Sequence, residues 1–359
     1  MRLISSALCT TVAVALLAGC SGMSQTTPSA PSSVGGTQSN YSHGRRVPHW
    51  SYPASTAGLT GAAVHYREVL RKLGKKHGND GGIYASEFFG TTAYGYQHVN
   101  TGNNPPECTV GPVDYINGMA VDGKGNFIDP DGGTRSVIVF SGPGMCGAEA
   151  GSVADPFGQP SDASSADAVN GTIAVGNIFG PSGSATAGSI SLCSLASGCT
   201  TNLQNPNMYE VAGVAMDNSG NCWASATNSE GTATLTYFAG CAGSGEAATG
   251  YENSAYGGLD IDKNGNLVAI SYSTSQVYVY SGCNPACTVV GGPFSLEGEA
   301  VFGHLNKQSM TFCTADFSSA AVDVYYYSPS SLTYWYSFNN GLSSSLEPEG
   351  CAYNPRSSQ

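Results

Sequence analysis

The chain has 359 residues, 48 of them glycine, and only 11% are charged, so it can bury a full core but favours short strands and turns over long helices. Its net charge of −12 hides an asymmetry: residues 1–80 carry eight Lys and Arg against two acids, a net +6, whereas residues 81–359 carry five against 23, a net −18. An acidic body lacks the clustered Lys and Arg that phosphate contacts require, which sets nucleic acid aside as a partner.

Residues 1–20 read as a processed leader, with Arg2 at the charged start, an apolar run from Val12 to Leu17, and Leu17-Ala18-Gly19-Cys20 at its end. The run is too short to span a bilayer. The last four residues resemble a bacterial lipobox. That resemblance implies that Cys20 becomes the lipidated N-terminus and that Ser21 is compatible with outer-membrane sorting. The chain is then expected on the bacterial cell envelope, held to the membrane by its lipid; an ordinary cleaved secretory signal is the other reading.

Residues 21–59, rich in Ser, Thr, Pro, Gly and Gln, cannot repay the entropy of ordering and read as a disordered tether. Residues 60–80 read as a short helix and linker. From Gly61 to His77, Val64, Leu70 and Leu73 recur at helical spacing among Arg67, Arg71, Lys72, Lys75 and Lys76. This basic helix either packs against the acidic body or rests on anionic lipid.

Residues 81–359 read as one all-β domain. Small residues ending in Gly precede apolar alternation at Gly118, Gly171, Gly213, Gly258, Gly298 and Gly350, at intervals of 53, 42, 45, 40 and 52 residues. Six inner strands are expected there. Three units share the turn D-x-x-G-N, at Asp122 to Asn126, Asp217 to Asn221 and Asp262 to Asn266. Third strands follow as SVIVFSG, ATLTYFAG, QVYVYSG and VDVYYYS, beginning at Ser136, Ala233, Gln276 and Val322. A period of 40 to 53 residues with several strands per unit predicts a six-bladed β-propeller. The chain ends just after its sixth inner strand, whereas IYASEFF, TTAYGYQH and ECTV between Ile83 and Val110 have none before them. Pairing the C-terminal strand with these N-terminal strands closes the ring and removes its open edges.

Ten cysteines remain once Cys9 and Cys20 are set aside, and in an exported chain disulfides are expected. Cys193 with Cys199, and Cys283 with Cys287, each follow a third strand and can staple a hairpin. Pairing among Cys108, Cys146, Cys222, Cys241, Cys313 and Cys351 stays open.

The G-x-A-V-D-x-x-G-N units with their V-x-V-[FY] strands resemble NHL-type repeats. The region is similar to six-bladed propellers of the NHL and gluconolactonase-like kind, which serve as lactonases, lyases and binders. The units at Gly171 and Gly298 depart from the pattern, the latter with Gly303-His304 in place of the Asp turn.

Signatures of zincins, serine hydrolases and P-loops are absent. The G-x-G-x-x-G from Gly142 to Gly147 lacks a following helix and reads as a hairpin turn. Among the histidines, His98 and His304 fall in the domain, and His304 is expected in an exposed turn.

Asp114, Asp167, Glu210, Glu252, Glu297 and Glu349 stand ahead of the six expected inner strands, where leading segments converge on one mouth of the channel. Crowded carboxylates call for a cation, and hard oxygen ligands suit Ca²⁺ or another divalent ion. The resemblance implies Glu349 or Glu297 as ligands, with Glu210 and Asp114 as further candidates; solvated loop carboxylates are the plainer reading. Tyr325, Tyr326, Tyr327, Tyr334, Trp335 and Tyr336 make the densest aromatic run, and Tyr326, Tyr334, Trp335 and Tyr336 are candidates for a binding surface. The expected function is an envelope-anchored binding module for a protein or glycan partner. A divalent-metal-dependent, lactonase-like hydrolase is the alternative.

Overall fold

The D-x-x-G-N turn shows how a few residues fix each blade. Asp122 Oδ1 accepts the Lys124 and Asn126 N–H groups at 2.9 and 2.8 Å, and its Oδ2 accepts the Asn126 amide at 2.7 Å. Gly125 sits at φ +83°, which a side chain would resist. Asp217 and Asp262 repeat the same three bonds. One carboxylate thus satisfies a turn and sends the second strand back along the first.

The computed structural model describes residues 82–97, 102–142, 144–166, 171–181, 188–252 and 254–354. The leader, Cys20, the tether, the segment 60–80, His98 and Asp167 lie outside the described residues.

Six antiparallel four-stranded sheets form the six blades of the propeller, named here from its axis outward. The first blade joins the last strand to the first three: β24 (Pro348–Tyr353), β1 (Ile83–Glu87), β2 (Ala93–Tyr96) and β3 (Cys108–Val110). β24 pairs with β1 from Ile83↔Tyr353 to Ser86↔Gly350, so the ring closes as its ends foretell. The second blade is β4 (Ala120–Val121), β5 (Phe127–Asp131), β6 (Ser136–Phe140) and β7 (Glu149–Ala154). The third is β8 (Gln159–Ser165), β9 (Ile173–Phe179), β10 (Ser189–Ser194) and β11 (Gly198–Leu203). The fourth is β12 (Glu210–Met216), β13 (Cys222–Thr227), β14 (Ala233–Phe238) and β15 (Glu246–Ala247). The fifth is β16 (Leu259–Ile261), β17 (Leu267–Ser271), β18 (Gln276–Ser281) and β19 (Thr288–Ser295). The sixth is β20 (Gly303–Leu305), β21 (Thr311–Asp316), β22 (Ala321–Ser328) and β23 (Ser331–Phe338). Apolar clusters fill the space between neighbouring blades.

Three expectations need correction. The inner strand of the third blade is β8, not the stretch after Gly171, and Ile173–Phe179 is the second strand. β8 reads QPSDASS, without apolar alternation, because its polar side chains bond sideways to β12. Asp162 Oδ2 accepts Val214 N–H at 2.9 Å and Ser164 Oγ accepts Met216 N–H at 3.0 Å. In the sixth blade, residues 298–302 lead into the inner strand instead of forming it, and His304 lies within β20. Its turn comes later, where Asn306 Oδ1 accepts Met310 and Thr311 N–H groups and Ser309 takes φ +50°. Finally, β1 stops at Glu87, and Phe88 and Phe89 form a loop tip.

Around the axis the inner strands approach so closely that the marker glycines Gly118, Gly213 and Gly350 have no room for a side chain and Gly258 is tightly enclosed. A Cβ on Gly213 would stand 2.3 Å from Gly257 O, and one on Gly350 would stand 2.5 Å from Asn117 O. One on Gly258 would meet Phe302 Cα at 3.1 Å, and one on Gly118 the Asp162 carboxylate at 2.1 Å. None of the four has a positive φ, so the requirement is space. Backbone bonds join the same strands: Gly118 N–H to Ser161 O and Gly258 N–H to Val301 O, both 2.7 Å.

Disulfides join Cys193 to Cys199 and Cys283 to Cys287 as expected, and also Cys108 to Cys146, Cys222 to Cys241 and Cys313 to Cys351. The bridges from Cys108 and Cys351 tie the first blade to the second and to the sixth, one on each side of the closure.

Gly213→Ala should destabilise the domain by about 1–3 kcal/mol, the usual cost of overpacking. Gly144→Ala, where a Cβ meets nothing within 4 Å, should be close to neutral. Denaturant unfolding of the two variants checks the pair.

Candidate functional site

Strand alternation gives the propeller two unlike ends. Segments leading into the inner strands share one end, here the leading face, with the loops between second and third strands. The opposite, trailing face carries the D-x-x-G-N turns. Backbone bonds stitch the leading face together, including Gly133 N–H to Asp114 O, Phe317 N–H to Glu299 O and Phe88 N–H to Glu347 O. Carboxylates ending second strands add to this. Asp131 Oδ2 accepts Asp114 N–H at 3.0 Å, Asp316 Oδ1 accepts Glu299 N–H at 3.1 Å, and Glu87 Oε1 accepts Ser343 N–H at 2.5 Å.

The leading face gathers most of the carboxylates singled out from sequence, but in different settings. Asp114, Glu252 and Glu297 are exposed, Glu210 is half-buried, and Glu349 is only 3% exposed. Asp167 falls in the chain between β8 and β9, not ahead of an inner strand. Among the described residues, one group of three His, Cys, Asp or Glu side chains brings its ligand atoms within 4.8 Å of one another: Asp155, Cys193 and Cys199. Glu297, Glu349, Glu210 and Asp114 do not assemble into such a group.

Two of the carboxylates flank a tyrosine instead. Tyr256, 8% exposed, has a hydroxyl without a hydrogen-bond partner, as does Glu349 Oε2. Burial raises the Tyr256 phenol, and the charges of Glu210 and Glu349 add to the rise. Burial, with Glu347 nearby, pushes Glu349 up to about 8, so it is a neutral acid at pH 7. Asp129, fully buried in β5 with neither oxygen paired, is raised well above its ordinary value by burial and by Asp131 and Asp114.

Below this level the axis is closed. Phe302 is buried, and its ring lies where a Gly118 side chain would go. His304 follows, 13% exposed, with Nδ1 3.4 Å from Asp260 Oδ2. Asp260 Oδ2 also accepts Leu305 N–H at 2.7 Å. Burial lowers the His304 imidazole. The Asp260 hydrogen bond and charge, the Asp162 charge and the Met119 carbonyl together outweigh it and hold His304 above its ordinary value. Asp162 is pushed by burial up to about 7, against the pull of His304 and the Val214 N–H. His304 is therefore an interior residue biased toward its charged form beside Asp260 and Asp162, not an exposed turn residue.

The aromatic candidates lie on the outer strands of the sixth blade. Tyr334 is 41% exposed; Tyr326 is buried under Trp335, ring centroids 4.5 Å apart and 19° from parallel, and Tyr336 meets Trp335 edge-on. A second cluster, missed from sequence, stands on the leading face. Phe89, 37% exposed, packs with Phe88 at 4.6 Å and Tyr115 at 6.1 Å, and Phe88 meets Tyr115 at 5.3 Å. Its one signal was a Phe pair directly before Gly90, where a strand gives way to a turn.

No protein-family model matches the chain, and no curated protein matches it. Solved structures match in fold. A chain of a nidogen/laminin complex is 12% identical with a TM-score of 0.57, over 77% of this chain and 99% of that one. A protein of unknown function from Bacteroides caccae is 9% identical with a TM-score of 0.54, over 77% and 99%. A "putative 6-phosphogluconolactonase" from Bacteroides fragilis NCTC 9343 is 10% identical with a TM-score of 0.50, over 76% and 98%. At these identities the likeness is one of propeller fold.

Two stability effects follow. Glu349 keeps a proton in the native state that the unfolded chain loses above about pH 4.5, so stability falls from there until its folded value near 8. Glu349→Gln should therefore raise stability by about 3 kcal/mol at pH 7, with the gain vanishing below pH 4. The His304 contribution is complete below its ordinary value of 6.5 and is lost as pH rises through its raised folded value. His304→Gln should be most destabilising at pH 5–6 and flatten that limb. Urea unfolding between pH 3 and 9 reads both.

Proposed function

We propose that the protein is an envelope-anchored binding module, tethered through a lipid on Cys20, whose leading face docks a protein partner rich in Lys and Arg. The observation that carries this is the composition of that face. Asp114, Glu230, Glu252, Glu297 and Glu299 are exposed on it, with the Phe88, Phe89 and Tyr115 wedge beside Asp114. Among the described residues, Arg135 is the one Lys or Arg at this end, and it is bonded to the Pro181 carbonyl. Lys124, Lys263 and Lys307 all fall in turns of the trailing face.

Such a surface offers cation–π contact, apolar burial and carboxylate pairing to a basic and apolar segment. A glycan would use the rings and carboxylates without needing the net charge, so the charge favours a protein. The hydrolase reading asks for carboxylates gathered around an ion, and Glu297, Glu349, Glu210 and Asp114 are spread around the mouth.

The test is binding of the mature chain to an array of 12-residue peptides and to a glycan array. Peptides joining Lys or Arg to aromatic or aliphatic residues should bind, and binding should weaken with salt. Phe89→Ala, or Asp114→Asn with Glu347→Gln, should cost at least tenfold, about 1.4 kcal/mol. Capture by glycans alone, or peptide binding indifferent to these substitutions, overturns the proposal.

A further inference from the structure

Strand direction fixes where the N-terminal part of the chain meets the propeller. β1 runs from Ile83 on the trailing face to Glu87, and the Phe88–Phe89 tip follows on the leading face. Gly82, just before β1, accepts Asn354 N–H at 2.9 Å and lies against Met145 in the trailing turn between β6 and β7. The segment 61–77 therefore joins the body at the trailing face of the first blade, through residues 78–81.

That segment carries the chemistry a partner of the leading face needs. Its sequence, GAAVHYREVLRKLGKKH, sets Arg67, Arg71, Lys72, Lys75 and Lys76 against the one acid Glu68, with Val64, Tyr66, Leu70 and Leu73 among them. On the leading face Asp114, Glu230, Glu252, Glu297 and Glu299 are exposed, and Phe89 stands 37% exposed in its wedge with Phe88 and Tyr115.

The Lys-rich end of the segment cannot return to the leading face of its own copy. Five steps of chain separate His77 from Gly82, a reach of at most about 18 Å in any conformation. The way round the blade passes β2 and β3, about 10 Å outward at ordinary strand spacing, and then climbs about 13 Å, the rise of β1. A second copy is under no such limit.

We propose that the leading face of one copy docks the segment 61–77 of a second copy, so that the chain associates head to tail. This rests on the reading of that face as a dock for a Lys- and Arg-rich partner. Lys and Arg of the segment pair with the carboxylates, and its Tyr and Leu side chains meet the Phe88, Phe89 and Tyr115 wedge. The two contacting patches differ and belong to opposite ends of the body, so the contact does not close on itself and each added copy offers a fresh leading face.

The experiment is sedimentation velocity on the mature chain from Ser21, prepared without lipid, over a hundredfold range of concentration. The average mass should rise past the dimer and fall back with added salt. Arg71→Glu with Lys72→Glu, which spoils the segment, and Phe89→Ala with Glu297→Lys, which spoils the face, should each stay monomeric with a native circular dichroism spectrum. Mixed in equal amounts, the two should form a dimer and nothing larger, because each pair keeps one intact segment and one intact face. A labelled peptide of residues 61–77 should bind the wild-type chain, and the face variant at least tenfold more weakly; the wild-type titration decides even where a variant fails to fold. A wild-type chain that stays monomeric and does not bind the peptide, association that survives in either folded variant, or a mixture that stays monomeric overturns the proposal. So does a peptide that binds phosphatidylglycerol vesicles but not the chain, which assigns the segment to lipid. In each of these cases, other basic peptides that bind the leading face leave the reading of that face standing and only the self-docking falls; if none binds, both fall.

Discussion

The close approach of the inner strands around the axis is the constraint from which the rest follows. Where Gly213 faces Gly257 and Gly258, and Gly350 faces Asn117, backbone meets backbone with no side chain between. Strands this close exchange direct bonds, as from Gly118 to Ser161 and from Gly258 to Val301. The remaining axial space takes Phe302, His304 and the Asp162 carboxylate. A channel filled in this way is a core, in the sense that small barrels fill their interiors with side chains. The two faces are then the surfaces left open to solvent.

That geometry also explains what was legible. The D-x-x-G-N turns could be read because one carboxylate and one glycine settle a turn locally, whatever surrounds it. The closure could be read because three unpartnered N-terminal strands and one surplus C-terminal strand leave a single edge-free solution. β8 could not, because period-two alternation presumes one apolar face, and an innermost strand has neighbours on both sides. Its Asp162 and Ser164 work as lateral acceptors for β12, so the strand looks like a loop. β20 was hidden for a related reason: its three residues include His304, whose place in the interior makes sense only beside Asp260 and Asp162.

Of the candidate site, the gathering of carboxylates on the leading face was legible, but Glu230 and Glu299, the place of Asp167 and the settings of the rest were not. Glu297 and Glu349 each stand one residue before a marker glycine, yet one is exposed and the other buried. The difference arises because Glu349 belongs to β24, whereas Glu297 belongs to the segment ahead of β20. Carboxylates such as Glu349, Asp162 and Asp323 are held near or above neutrality by burial, with Asp323 at about 8 and pushed further by Asp316 and Glu297. Keeping a proton is cheaper for such a group than carrying an unpaired charge inside. The fold tolerates that cost because covalent bridges flank its closure and because the ring leaves no open sheet edge at the axis.

The wedge of Phe88, Phe89 and Tyr115 places backbone strain beside exposed aromatic rings on one face. Tyr115 and Glu347 both adopt left-handed backbone, at φ +54° and +53°, which costs about 1–3 kcal/mol for a residue with a side chain. Glu347 O accepts Phe88 N–H and Leu346 O accepts Phe89 N–H, so this conformation holds the Phe tip against the incoming chain. Asp114, next to Tyr115, is bonded through its own N–H to Asp131 and through its carbonyl to Gly133. The rings are thus ordered before any partner arrives, and a partner would not have to supply the entropy of ordering them. An exposed phenylalanine propped up by two strained residues adds little to stability, which is what supports the proposed role of this tip as a contact surface.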